Sequence, residues 1–402
     1  MNALASSLHS PAPIEKAVRA TADRVRLMAF VANGESEASL QACLSQLSFP
    51  DATIKTGGIA RAIRHLGAER SPENIIVDIS GTDMPASRVH DLAQLCEPGV
   101  TVIAIGDRND IGLYRDLVRA GVSEYIVKPV TPQLLAKALS PKPAADGASL
   151  ISRKLGKLIS FVGARGGVGT TTLAINLARY LADRQNRRTI LLDLDLQSGD
   201  CAFALNIRPT PGLRDALTNP LRIDNVFLDR AMAVYGERLF VLSAEEPLRA
   251  DFAFAPEAIE TLVGVLRTHF HYIIADVPRI PAAHHWRALD GADIRIIVAD
   301  QTLRSVRDAV RLRTPLDEGN AGQRNLLVVN RGGEGGRHAM TIEEMANVEL
   351  RPTIVIPFRP KLFTATGLAR RRGGLTEAVA ALATEISGRM PKRKAWWRFA
   401  IS

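Results

Sequence analysis

Cysteine is scarce in this 402-residue chain: Cys43, Cys96 and Cys201 lie far apart, with no C-x-x-C spacing and no His/Cys cluster. That argues against a disulfide framework or structural zinc and implies a reducing compartment. Long apolar runs are absent as well, so no transmembrane helix is expected. The first twenty residues lack an apolar signal core and read as a loose lead-in, so the expected location is cytoplasmic. There is no internal repeat and no long low-complexity segment. What remains is the profile of ordinary cores: 46% hydrophobic residues and a length with room for two or three domains. The net charge of +9 is uneven. From Arg351 onward there are eleven Lys/Arg against two acids, so the last 52 residues carry the whole excess. A localised basic excess suggests a phosphate-bearing or acidic partner at that end.

Strands alternate with helical patterns in two blocks, which implies parallel sheets covered on both faces. Residues 1–24 form a loose N-terminal segment and 25–140 a first domain. In it, apolar runs begin at Arg26, Asn74, Thr101 and Glu124, and helical spacing runs from Glu35 to Gln46. Prolines 141 and 143 with Gly147 and Ser149 mark a linker over 141–156. A second domain spans 157–390, and a basic aromatic tail covers 391–402.

The strongest local pattern starts at Leu158. A buried strand pattern runs into Gly166, Gly167 and Gly169 and then into a helix opening at Thr170. Glycines there let backbone N–H groups close around an anion, and the helix dipole points at the same spot. The usual phosphate loop is G-x-x-x-x-G-K-[ST]. Here Ala164 replaces the first glycine and Thr170 stands where the lysine belongs, while Thr171 keeps the hydroxyl that meets Mg2+. Two further apolar runs end in carboxylates. Ile190–Leu192 leads to Asp193 and Asp195, and Tyr272–Ala275 leads to Asp276. Strand tips of this kind are where open α/β sheets bind ligands.

In this order the motifs resemble the deviant phosphate loop of the ParA/MinD family. The resemblance implies an ATP site in which Arg165, Gly166, Gly167, Val168, Gly169, Thr170, Thr171 and Thr172 surround the phosphates. Arg165 takes the place of the lysine that reaches a dimer partner's nucleotide. Thr171, Asp193 and Asp276 would hold Mg2+, the aspartates through water, and Asp195 would orient or deprotonate the attacking water. Asn330 would read the adenine edge and Pro357 would pack on the base. Arg279 and Ile280 depart from the family's switch II, which implies a poor response to the γ-phosphate.

The first domain resembles the receiver domain of two-component systems. Asp78 stands as the phosphoacceptor would, followed by Met84-Pro85, and Lys128-Pro129 ends the last strand. Val31-Ala32-Asn33 replaces the acidic pair that holds Mg2+, and Gly106 replaces a hydroxyl. Without that pair Asp78 lacks the cation that screens an incoming phosphate. The reading is a receiver-shaped module for docking or dimerisation, with Asp78 and Lys128 as a residual ion pair.

The tail sets Lys392, Arg393, Lys394 and Arg398 beside Trp396, Trp397 and Phe399. Cations beside large rings suit weak contact with an anionic membrane surface; the alternative is that the tryptophans pack on the second domain's core and the cations are solvated. Membrane contact is preferred here to DNA binding. The run Arg370–Arg372 fits a solvated helix face, or a contact with DNA or an acidic protein.

A degenerate receiver joined to a ParA/MinD-like domain lacking the loop lysine resembles the TadZ/CpaE family of Flp (tad) pilus assembly proteins. The resemblance implies a flavodoxin-like parallel sheet followed by a P-loop parallel sheet. It also implies ATP and Mg2+ as cofactors, a homodimer, and pilus assembly and secretion proteins as partners. The expected place is the cell pole, peripheral to the inner membrane. Three functions compete: a positioning scaffold with slow or absent ATP hydrolysis, an active partition or positioning ATPase, and a two-component output regulator. Thr170 weighs against the second, because phosphoryl transfer relies on cations that neutralise developing charge. Val31-Ala32-Asn33 weighs against the third.

Overall fold

Along β1 (Leu27–Val31) the side chains alternate between two apolar layers. Leu27, Ala29 and Val31 enter one, Met28 and Phe30 the other. A strand buried on both faces needs a helix layer on each side, and the chain supplies both. Gly34–Gln46 and Pro132–Leu139 cover one face with Leu40, Leu44 and Leu135. Gly58–Ala68, Pro85–Leu95 and Ile111–Arg119 cover the other with Ile59, Leu66, Leu92 and Leu117. The remaining strands are β2 (Thr53–Thr56), β3 (Asn74–Asp78), β4 (Thr101–Gly106) and β5 (Glu124–Val127). All pairs are parallel, in the order β2-β1-β3-β4-β5. That order is the flavodoxin-like doubly wound one.

The computed structural model describes residues 25–47, 49, 51–140, 155–249, 254, 257–279, 282–318, 322–333, 339–358 and 374–387. The basic tail with Lys392, Arg393, Lys394, Trp396 and Trp397 lies outside these residues, as do Arg370–Arg372, Ile280, residues 1–24 and most of the linker. The chain divides into two units, Met1–Leu155 and Gly156–Ser402.

The second unit is built on an eight-stranded sheet. Its strands are β6 (Lys157–Gly163), β7 (Thr189–Asp193), β8 (Ala233–Tyr235), β9 (Leu239–Leu242), β10 (Tyr272–Val277), β11 (Ile294–Ala299), β12 (Arg324–Gly332) and β13 (Ile354–Pro357). The order is β13-β12-β11-β6-β10-β7-β9-β8, parallel except for the antiparallel edge strand β8. β6 is central. Ile159 and Phe161 are fully buried against Leu173, Leu177 and Leu181 of the helix Thr170–Asp183. That helix is buried on most of its circumference because Gly374–Ser387 packs over it through Val379, Leu382 and Ile386. The phosphate loop is thereby fixed at both ends. Among the described residues no helix is long and apolar enough to cross a membrane.

Tyr125 explains Gly106 in the first unit. A Cβ at Gly106 would fall 2.8 Å from the Tyr125 hydroxyl, which donates to Arg108 O at 2.8 Å. The tyrosine ring occupies the space beside the tip of β4.

Candidate functional site: a phosphate loop over a buried acidic pair

β6 ends at Gly163, and residues 164–169 turn into the helix at Thr170. Gly167 and Gly169 sit at φ +77° and +92°, where a side chain is strained. A Cβ at Gly166 or Gly167 would meet nothing within 4 Å, so this part of the loop faces open space. The helix has Gly169 as its N-cap with no side-chain cap, so its first N–H groups are left to face a ligand. A Cβ at Gly169 would fall 2.5 Å from Asn330 Nδ2, whose amide donates to Val168 O at 2.7 Å. Asn330 therefore braces the loop from behind.

The Thr170 hydroxyl turns back toward Gly163, where a Cβ would stand 2.5 Å from it. Thr171 donates to Asp276 and contributes to its electrostatics. The β10–β7 register sets Asp276 beside Asp193, and both side chains are buried. Burial pushes both carboxyls well above the usual carboxylate range, and neighbouring charge adds to it, from Asp193 on Asp276 and from Asp195 on Asp193. Asp193 accepts from Cys201 N at 3.1 Å and from Asp195 N at 3.3 Å. Asp195 accepts from Ser198 N at 2.9 Å, which folds the loop after β7 into a tight turn.

Thr171, Asp193 and Asp276 thus converge below the loop, beside Cys201. One oxygen of each aspartate and the Cys201 sulfur lie within 4.8 Å of one another. A hydroxyl, two buried carboxyls and an open glycine cradle above them fit a divalent cation carrying a phosphate ligand. The cleft of about 350 Å³ is lined by Arg165, Gly166, Gly167, the three threonines, Asp193, Asp195, Asp276, Pro278, Arg279 and Arg331. Neither Asn330 nor Pro357 belongs to that lining. Pro357 is exposed on edge strand β13, in register with Gly332. Val168 is fully buried and acts through its backbone.

Arg165 pairs with Asp300 in its own chain. Asp300 follows β11, is 4% exposed and also accepts from the Thr302 hydroxyl at 2.7 Å. Burial alone would raise its carboxyl, but the bonds from Arg165 and Thr302 hold it below the usual range. Sequence reasoning missed Asp300, although it ends an apolar run just as Asp193 and Asp276 do. It also missed His285. Its Nδ1 accepts from Ala282 N at 3.0 Å and its Nε2 meets Leu194 O at 3.1 Å. Burial pushes the ring down to about 4, so it stays neutral and ties the helix Ala283–Asp290 to the loop carrying Asp195.

In the first unit Asp78 is buried, and its carboxylate accepts from Lys128 Nζ at 2.8 Å, Ala32 N at 3.1 Å and Ser80 N at 3.0 Å. Burial raises its carboxyl, but these bonds outweigh it and the net shift is downward.

Comparison with known proteins agrees with this geometry. The family model of the CobQ/CobB/MinD/ParA nucleotide binding domain matches residues 159–368, just over half of the chain. The septum site-determining protein MinD of Bacillus subtilis is 30% identical over 179 residues, 44% of this chain and 65% of that protein's length. The crystal structure of a ParA family ATPase from Chlorobium tepidum superposes with a TM-score of 0.53 at 22% identity, covering 58% of this chain and 99% of that one. The pilus assembly protein CpaE from Caulobacter crescentus is 31% identical, with 29% of this chain and 91% of that one covered and a TM-score of 0.27.

Proposed function

As this chain belongs to the CobQ/CobB/MinD/ParA nucleotide-binding family, we propose that it is an ATP-binding dimeric scaffold that positions an Flp-type pilus assembly machine and hydrolyses ATP slowly or not at all. One observation carries this: the cleft has its glycine cradle, Thr171 and the two buried aspartates, but among the described residues no lysine lines it. Phosphoryl transfer depends on cations over the β- and γ-phosphates, so binding is retained while the accelerating charge is reduced. Thr171, Asp193 and Asp276 are assigned to Mg2+, which when bound neutralises phosphate charge. The backbone from Arg165 to Thr172 is assigned to the phosphates, and Asp195 to the water. The pilus role rests on the pairing of a receiver-like unit with a lysine-free phosphate loop. Polar placement and the assembly and secretion partners belong to the same proposal.

A second reading, an active partition-type ATPase, draws support from Arg165, Arg279 and Arg331 on the cleft wall. Calorimetry with Mg·ATP beside a phosphate-release assay separates the two. Micromolar binding with turnover far below that of MinD-type enzymes supports the scaffold, and turnover at their level overturns it. The regulator reading finds no support, since the Asp78 carboxylate is already engaged by Lys128, Ala32 and Ser80.

A further inference from the structure

Cys201 has no part in the reading above and is not among the residues lining the cleft, yet its buried sulfur lies beside the acidic pair that does line it. It opens the short helix Cys201–Leu205, is fully buried, and points its sulfur at Asp276 Oδ2, 3.8 Å away. Its backbone N–H is held by Asp193 Oδ2 at 3.1 Å, which fixes where the sulfur can go. Two carboxylate oxygens and one thiol sulfur therefore share a space within 4.8 Å, all three side chains buried.

Buried acids are stable when paired with a cation or coordinated to a metal. The loop position where a lysine ammonium would approach holds Thr170. One of the three groups gathered at the buried aspartate pair is a soft thiol.

The donor set discriminates between cations. Mg2+ takes oxygen ligands and gains little from sulfur. Zn2+ and Co2+ take carboxylate oxygen at about 2.0–2.2 Å and thiolate sulfur at about 2.3 Å. On a tetrahedral centre those bond lengths put oxygen and sulfur about 3.5 Å apart, close to the 3.8 Å between Cys201 Sγ and Asp276 Oδ2. We propose that Cys201 makes this pocket a site for a thiophilic divalent cation of the Zn2+/Co2+ class, held by Asp193, Cys201 and Asp276 and competing there with Mg2+. On binding, the metal–sulfur bond forms, the S–H bond breaks and its proton passes to solvent. The site concerns the pocket that the functional reading assigns to Mg2+, but it does not require ATP to bind.

The test is a Co2+ titration of the nucleotide-free full chain in thiol-free buffer. It is repeated on Cys43→Ala/Cys96→Ala, in which Cys201 is the only thiol. The expected result is a sulfur-to-cobalt charge-transfer band that saturates at one equivalent, survives in the double variant and disappears in Cys201→Ser. Mg2+ should need at least about a tenfold excess to halve the band. The ratio of Co2+ to Mg2+ affinity should fall at least about tenfold in Cys201→Ser. Absence of the band, or its survival in Cys201→Ser, overturns the proposal. If Cys201→Ser does not fold, X-ray absorption of the Zn2+-loaded double variant decides. A sulfur neighbour at about 2.3 Å supports the site, and a shell of oxygen and nitrogen alone overturns it. Calorimetry with Mg·ATP on the same preparations, free of Co2+, reports on the functional reading separately.

Discussion

Thr170 sets how much positive charge the loop offers a triphosphate. Thr170→Lys restores an ammonium at the mouth of the cradle. A hydrogen bond to a charged group is worth about 1.5–3 kcal/mol, so Mg·ATP affinity should rise at least about tenfold by calorimetry. Unchanged affinity would mean that the side chain at 170 cannot reach the phosphates. Arg165 and Asp300 make a second pair of opposed predictions. Arg165→Ala should weaken ATP-dependent association in light scattering, because a guanidinium contact to a partner's phosphates would be lost. Asp300→Asn releases Arg165 from its present ion pair and should keep or strengthen association. Equal weakening by both variants would reduce the pair to a structural role. Asp78 carries a pH prediction. Its folded value lies below its unfolded one, so its contribution to stability is present above the ordinary carboxylate value of about 3.9 and is lost as pH falls through the depressed value. Lys128→Met leaves that buried carboxylate without its cation and should cost the first unit about 3 kcal/mol at pH 7. The deficit should shrink in acid, as read by denaturant melts at the two pH values.

At the scale of elements, the loop between β6 and its helix depends on a strand two positions across the sheet. Asn330 sits on β12, and its amide holds Val168 O while leaving no room for a Cβ at Gly169. Gly169→Ala meets both that clash and a φ of +92°. It should lower nucleotide affinity at least tenfold, about 1.4 kcal/mol, by calorimetry. Affinity equal to the parent's would show that the loop reshapes freely. Element reading from sequence succeeded where burial is two-sided. The runs at Asn74 and Thr101 are strands β3 and β4, and the helix Gly34–Gln46 begins one residue before the expected Glu35. It missed β2, whose Thr53–Thr56 is short, half-buried and at the sheet edge, with no continuous apolar run to announce it. The β8–β9 hairpin was missed for a related reason, since β8 has three half-buried residues.

At the scale of the whole molecule, each unit has its own sheet and its own buried clusters. The excess positive charge belongs to the far C-terminal part of the chain. The tail beyond Met390 offers Lys392, Arg393, Lys394 and Arg398, each worth about 1 kcal/mol near an anionic surface. Two tails in a dimer act together, so ATP-driven pairing should turn marginal binding into stable attachment. Full-length protein should sediment with anionic vesicles at low salt and release at high salt, and a chain ending at Met390 should not sediment. Equal sedimentation of the two chains would remove the tail from membrane contact.

The order of apolar runs, glycines and carboxylates along the chain was enough to determine two parallel α/β sheets, a phosphate loop without its lysine, and the candidates Thr171, Asp193 and Asp276. These features are legible because each depends on residue type at short spacing: a strand tip, a left-handed glycine, a helix start. Only the tertiary structure decided what those side chains meet. The β7–β10 register brings Asp193 and Asp276 together and adds Cys201 from the following helix. Asp300 captures Arg165 across 135 residues, and Asn330 reaches Val168 O from behind the loop. Contacts between residues so distant in sequence are set by how strands are ordered across a sheet, and no local spacing in a single chain encodes that order.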